Sequence, residues 1–75
     1  MKLPVLKSRQ VSRALKRMGC IEKRQTGSHR IFYCPKKNAI IPVPFHNRDL
    51  KKGLLRAIIK DLDLSVEEFR KLLKD

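Results

Sequence analysis

Arg24-Gln25-Thr26-Gly27-Ser28-His29 is the stretch on which the reading of this chain turns. It lies between two strand-like segments, with basic residues on either side. Gly27 lets the backbone turn sharply or come close to a ligand. His29 is one of only two histidines and can carry a proton near neutral pH. Downstream, His29 to Cys34 alternates: Ile31 and Tyr33 share a face with His29, while Phe32 and Cys34 point the other way. Upstream, Cys20 to Thr26 reads as a partner strand of weaker pattern. Pro35-Lys36-Lys37-Asn38 makes a turn in which Asn38 can take positive φ. Ala39 to Val43 is a third strand, and Pro42 and Pro44, which cannot donate to a ladder, mean that it lies at a sheet edge or ends early. Links this short require an antiparallel meander.

Helices flank the meander. After an arm from Lys2 to Lys7, Ser8 is a candidate N-cap, and Val11, Ala14, Leu15 and Met18 recur at helical spacing up to Gly19, a suitable C′ residue. A second helix runs from about Lys52 to Leu62, with Leu54 or Leu55, Ile58, Ile59 and Leu62 as its apolar stripe. Ser65-Val66-Glu67-Glu68 is a capping-box pattern that begins a short third helix through Leu73. The order α-β-β-β-α-α predicts one α+β domain over residues 1–75, a three-stranded antiparallel sheet with helices on one face.

Charge narrows the function. Nineteen Lys and Arg against seven acids give a net charge of +12. The first 48 residues hold twelve of the basic residues and a single acid, Glu22. So concentrated a positive surface points to a polyanion, because phosphates release counterions when cations neutralise them. No segment pairs a wide apolar face with a basic one beyond what a core needs, and no apolar run approaches the roughly 20 residues of a membrane span. The start lacks the apolar stretch of a signal peptide, so the expected location is cytoplasmic. Arg9, Arg13, Lys16 and Arg17 form a row on the first helix without an intervening acid, and we read that row as phosphate-binding rather than as a solvated face.

RNA is the polyanion that these residues could also cut. Its 2′-hydroxyl, once deprotonated, attacks the adjacent phosphorus, and an imidazole with a pKa near 6.5 is suited to take that proton. His29 is therefore the candidate general base or acid. Arg24, Arg30 and Lys51 are candidates for stabilising the developing charge. Ser28 and the Gly27 amide could hold a phosphate oxygen. The competing reading makes His29 a surface histidine that only hydrogen-bonds. His46 could share acid and base work, or could cap the loop before the second helix. Lys51-Lys52 opens that helix in a manner similar to the lysine pair with which double-stranded RNA-binding domains grip phosphates. Phe32 and Tyr33 are more readily core than base-stacking groups. Cys20 and Cys34 would face each other if the hairpin is centred on Gly27, yet a cytoplasmic protein keeps thiols reduced, so two buried thiols are expected. No spacing suggests structural zinc, Asp49, Asp61 and Asp63 are too scattered for a magnesium site, and no cofactor is expected.

Taken together, Leu3-Pro4-Val5, a first helix ending in Gly19, Arg24-Gln25-x-Gly27-Ser28-His29, Val43-Pro44-x-His46, Leu50-Lys51-x-Gly53-x-Leu55-Arg56-x-Ile58-x-Lys60 and Leu64-Ser65-x-Glu67-Glu68-Phe69 resemble the HicA family. These are the small toxins of HicA–HicB toxin–antitoxin pairs. The resemblance covers nearly the whole chain. It implies a fold similar to the double-stranded RNA-binding domain, cleavage of mRNA that arrests translation, inhibition by a HicB-type antitoxin, and a catalytic role for His29. Cys20, where a bulky apolar residue is usual, and the turn Lys36-Lys37-Asn38, where Asp-Gly is common, depart from the pattern away from the histidine. The competing class is a non-catalytic RNA-binding module on the same basic surface. A DNA-binding regulator is a distant third, since no helix carries the mix that reads base edges.

Overall fold

The computed structural model describes residues 3–74; Met1, Lys2 (where the expected arm begins) and Asp75 lie outside them. Within that range the chain forms α1 (Ser8–Arg17), β1 (Ile21–Thr26), β2 (His29–Cys34), a 3₁₀ turn (Pro35–Lys37), β3 (Ala39–Pro44), α2 (Lys52–Asp61) and α3 (Val66–Leu72). The three strands are antiparallel in the order β1-β2-β3. This is the α+β arrangement that the pattern predicts.

Alternation builds the sheet's inner face. Phe32 and Cys34 of β2 and Ile41 and Val43 of β3 are buried, and they share one core with Val11, Ala14 and Leu15 of α1, Leu55, Ile58 and Ile59 of α2, and Phe69 of α3. Leu54 is only half-buried, so Leu55 carries that position of the α2 stripe. On the other face the register lines up three rows: Ile21–Tyr33–Ile40, Arg24–Ile31–Pro42 and Thr26–His29–Pro44. β1 patterns poorly in sequence because it is an edge strand whose residues are all exposed save half-buried Glu22. Its ladder to β2, not a buried stripe, holds it.

The turns and helix ends have local causes. Gly27 has φ +57° and Ser28 does not share the positive φ, the pattern of a two-residue II′ hairpin with glycine first. Asn38 takes φ 48° as the turn reading requires. At the end of α1, Gly19 adopts φ +90° while its amide bonds the Lys16 carbonyl and the Cys20 amide bonds that of Leu15, a Schellman closure. Ser65 and Glu68 form the expected capping box: the Glu68 amide donates to the Ser65 hydroxyl at 3.0 Å, and the Ser65 amide to the Glu68 carboxylate at 2.8 Å.

Two expectations are corrected. Ser8 is not the N-cap of α1; Lys7 occupies that position, its amide bound to the Gln10 side chain at 2.8 Å. The Ser8 hydroxyl instead donates to the Pro44 carbonyl and ties α1 to the end of β3. Cys20 and Cys34 are not two separate thiols but are joined as a disulfide. The register explains how. A two-residue turn alone would set Cys34 opposite Ile21, but Lys23 is an extra residue between the Glu22–Phe32 and Arg24–Ile31 pairs. That bulge shifts β1 by one, pairs Ile21 with Tyr33, and brings Cys20 abreast of Cys34.

Candidate functional site

His29 opens β2 immediately after the Gly27-Ser28 turn, and its register partners are Thr26 and Pro44. Gly27, Ser28 and His29 are all exposed. Among the described residues no side-chain hydrogen bond or ion pair engages the His29 ring. Arg24 belongs to the next row of the same face, diagonal to His29, a separation of about 7–8 Å that an arginine side chain can bridge.

Arg30 follows His29 and, by alternation, turns to the opposite face. There it lines a cleft of about 750 Å³ between α1 and the loop after β3. Arg9, Arg13 and Lys16 of α1 supply one wall, and Phe45, His46 and Asn47 the other. Three of the four cations in the α1 row thus meet Arg30 in one concavity. Arg17 does not: its guanidinium donates to the Leu72 carbonyl at 2.7 Å and to that of Lys74, where a cation suits the C-terminal end of α3.

The loop wall is held from both ends. The Phe45 amide donates to the Ser28 carbonyl at 2.6 Å. Lys7 bonds the Asn47 carbonyl at 3.0 Å and pairs with Asp49 at 2.9 Å, and the Leu50 amide bonds the Leu6 carbonyl at 2.8 Å. The Arg30 guanidinium lies 4.0 Å from the centre of the Phe45 ring, a cation–π contact. Glu22, the single acid of the first 48 residues, approaches Arg30 at 3.8 Å. Lys7, Arg9, Arg13, Lys16 and Arg30 line the cleft and, among the described residues, no acid does, so the cleft is strongly positive.

His46 lines the cleft, and its Nδ1 accepts the Arg48 amide at 3.2 Å. This is the loop-capping role weighed in the sequence. It also assigns the tautomer: with Nδ1 accepting, the neutral ring carries its proton on Nε2. Nε2 is therefore the ring nitrogen that His46 has left to donate a hydrogen bond. Lys51 and Lys52 are exposed at the start of α2 and do not line the cleft. Phe32 is fully buried core, whereas Tyr33 is half-buried on the open face with its hydroxyl 3.2 Å from the Asn38 side chain.

Phe45, Lys7 and Asn47 are site residues that the sequence reading passed over. Their roles come from contacts across the fold, Phe45 to Ser28 and Lys7 to Asn47. The one local signal is a pair of small polar residues one turn apart on α1, Ser8 and Ser12, which the structure buries beside the cleft. Among the described residues no three His, Cys, Asp or Glu side chains gather to hold a metal ion, and no helix is long and apolar enough to cross a membrane.

No curated protein matches the chain. The family model described as "HicA toxin of bacterial toxin-antitoxin" matches residues 8–64, which span α1 through the loop after α2. That range contains the Gly-Ser-His turn and every wall residue of the cleft except Lys7. The chain therefore belongs to the HicA toxin family, which makes it the toxin of a toxin–antitoxin pair and implies an antitoxin as its partner.

Proposed function

We propose that this toxin is a metal-independent endoribonuclease of the cytoplasm that cuts mRNA, arrests translation, and is silenced by a HicB-type antitoxin covering His29 and its basic surroundings. The observation that carries the reading is an exposed imidazole, presented by a tight turn and bordered by cations on both faces of the sheet. His29 takes the proton of a 2′-hydroxyl. The oxygen then attacks the adjacent phosphorus, the bond to the 5′-oxygen breaks, and that oxygen leaves with a proton from water while His29 returns its own to solvent. A 2′,3′-cyclic phosphate and a 5′-hydroxyl result.

Charge accumulates on the phosphoryl oxygens during the step. Arg24 lies diagonal to His29 on the same face and is the first candidate to neutralise it, a term separate from proton transfer. Gly27 and Ser28 position the phosphate, and Arg9, Arg13, Lys16 and Arg30 hold the strand in the cleft. Lys51 and Lys52 add phosphate contacts at the start of α2, where free amides and the helix dipole favour anions. Arg17 is left out because its guanidinium is spent on α3.

Expression in a bacterial host tests the reading. The wild-type chain stops growth with loss of intact mRNA, His29→Ala does not, and co-expression of its HicB-type antitoxin restores growth. Growth arrest without RNA loss would contradict it.

A further inference from the structure

The Arg30–Phe45 cation–π contact has no part in the proton transfer above, yet it is built in an unusual way. The guanidinium lies 4.0 Å from the ring centre, its side chain is 36% exposed, and its Nε is buried with no hydrogen-bond partner among the described residues. An arginine kept for structure normally sits where its donors are used. Here the ring and a 3.8 Å approach from Glu22 fix the plane while a donor goes unused.

We propose that this plane is a stacking subsite for one unpaired nucleotide of the RNA, an assignment that rests on the RNA-cleaving reading and names the form of RNA it acts on. The chemistry of the cleft fits each part of a nucleotide. A guanidinium backed by a phenyl ring offers a flat surface for a base. Arg9, Arg13 and Lys16 on the facing wall answer the phosphate. The first turn of α1, which borders the cleft and carries no acid, adds favourable dipole. His46, with Nδ1 held by Arg48, presents Nε2–H, and Asn47 presents an amide able to donate and accept. About 750 Å³ lies within the usual range for small-ligand sites.

A duplex cannot use such a plane. Each of its bases is already stacked on both faces and offers only edges, so double-stranded RNA is read by shape and backbone. An unpaired nucleotide can splay its base into the cleft. The step from His29 on one face to Arg30 on the other then lets one strand wrap the hairpin tip, with the scissile phosphate at His29 and a neighbouring base on Arg30.

The test uses the full chain carrying His29→Ala, so that RNA is bound and not cut. Its affinity is measured for a short single-stranded oligoribonucleotide and for the same sequence annealed to its complement. Phe45→Leu keeps apolar packing but removes the ring, and Arg30→Lys keeps the charge but removes the plane. Each substitution is expected to weaken single-strand binding about tenfold and to weaken duplex binding by much less. If Phe45→Leu does not fold, Arg30→Lys alone decides the matter. Loss on both RNA forms alike, or on neither, overturns the subsite while the RNA reading stands. Failure of the parent protein to bind either RNA overturns both.

Discussion

The amide of Phe45 donates to the carbonyl of Ser28 at 2.6 Å, one rung beyond the His29–Pro44 pair. This bond fastens the turn that presents His29 to the loop that carries Phe45 and His46. The two histidines consequently belong to one end of the sheet, although 17 positions separate them in the chain. They are not equivalent there. His29 is exposed and has no side-chain hydrogen bond among the described residues, whereas His46 is committed through Nδ1 to the Arg48 amide.

That difference predicts unequal mutants. His29→Ala should remove cleavage, at least about 100-fold, the low end of what a general base contributes. His46→Ala should act mainly on affinity and leave more activity. Comparing kcat with KM for the two variants checks this: a kcat loss for His46→Ala as large as that for His29→Ala would contradict the assignment.

Gly27 is tested by substitution with alanine. A Cβ there meets no atom within 4 Å, so the cost is one of backbone conformation and not of collision. At φ +57° that cost is about 1–2 kcal/mol. In a domain of this size it lowers Tm by roughly 4–16 °C. Calorimetry reads it directly, and an unchanged Tm would show that the turn is not strained by a side chain.

The Cys20–Cys34 bond closes a loop of sequence separation 14, for which chain entropy gives about 3 kcal/mol. Reduction, or Cys20→Ser with Cys34→Ser, should therefore lower the denaturation midpoint without changing the fold. A toxin equally stable in reductant and oxidant would show that the bridge contributes nothing in solution.

These cases show what the sequence could and could not convey. The face assignment of β2 was legible because a period of two in His29–Cys34 needs no distant partner. The cap at Ser65 and Glu68 was legible because both partners lie within four residues. The disulfide was not, since the register depends on a bulge at Lys23 that no local pattern marks. Ser8 misled for a related reason: its hydroxyl is captured by Pro44, 36 positions away, before it can cap its own helix. The cleft needed Phe45 and Lys7, whose contacts are likewise long-range.

Acid should loosen the start of α3. The Glu68 carboxylate accepts the Ser65 amide, and with the Ser65 hydroxyl contact this holds its pKa below the ordinary value. A lowered pKa means that the stabilising contact is complete above the unfolded value of about 4.3 and is lost as pH falls through the folded one. Protection of the Phe69 amide against exchange, taken relative to its intrinsic rate at each pH, should therefore fall in that window. Glu68→Gln, which can still accept the bond, should abolish that fall; an equal fall in the Gln variant would refute the mechanism.

Phe69 itself is fully buried although it lies beyond residues 8–64. Phe69→Ala should cost about 3–5 kcal/mol, a large part of the stability of a domain this small. Urea denaturation measures it, and a loss under about 1 kcal/mol would mean that α3 is dispensable to the core.

Whether His29 cuts RNA is decided by incubating a long single-stranded RNA with wild-type and His29→Ala protein in EDTA, after both are shown to be folded and to bind RNA equally. The wild type is expected to cut it, leaving cyclic phosphate and 5′-hydroxyl ends, and the variant is not. Equal cutting by both would remove His29 from the chemistry. Intact binding with no cutting by the wild type would make this basic surface an RNA-binding module and not a nuclease.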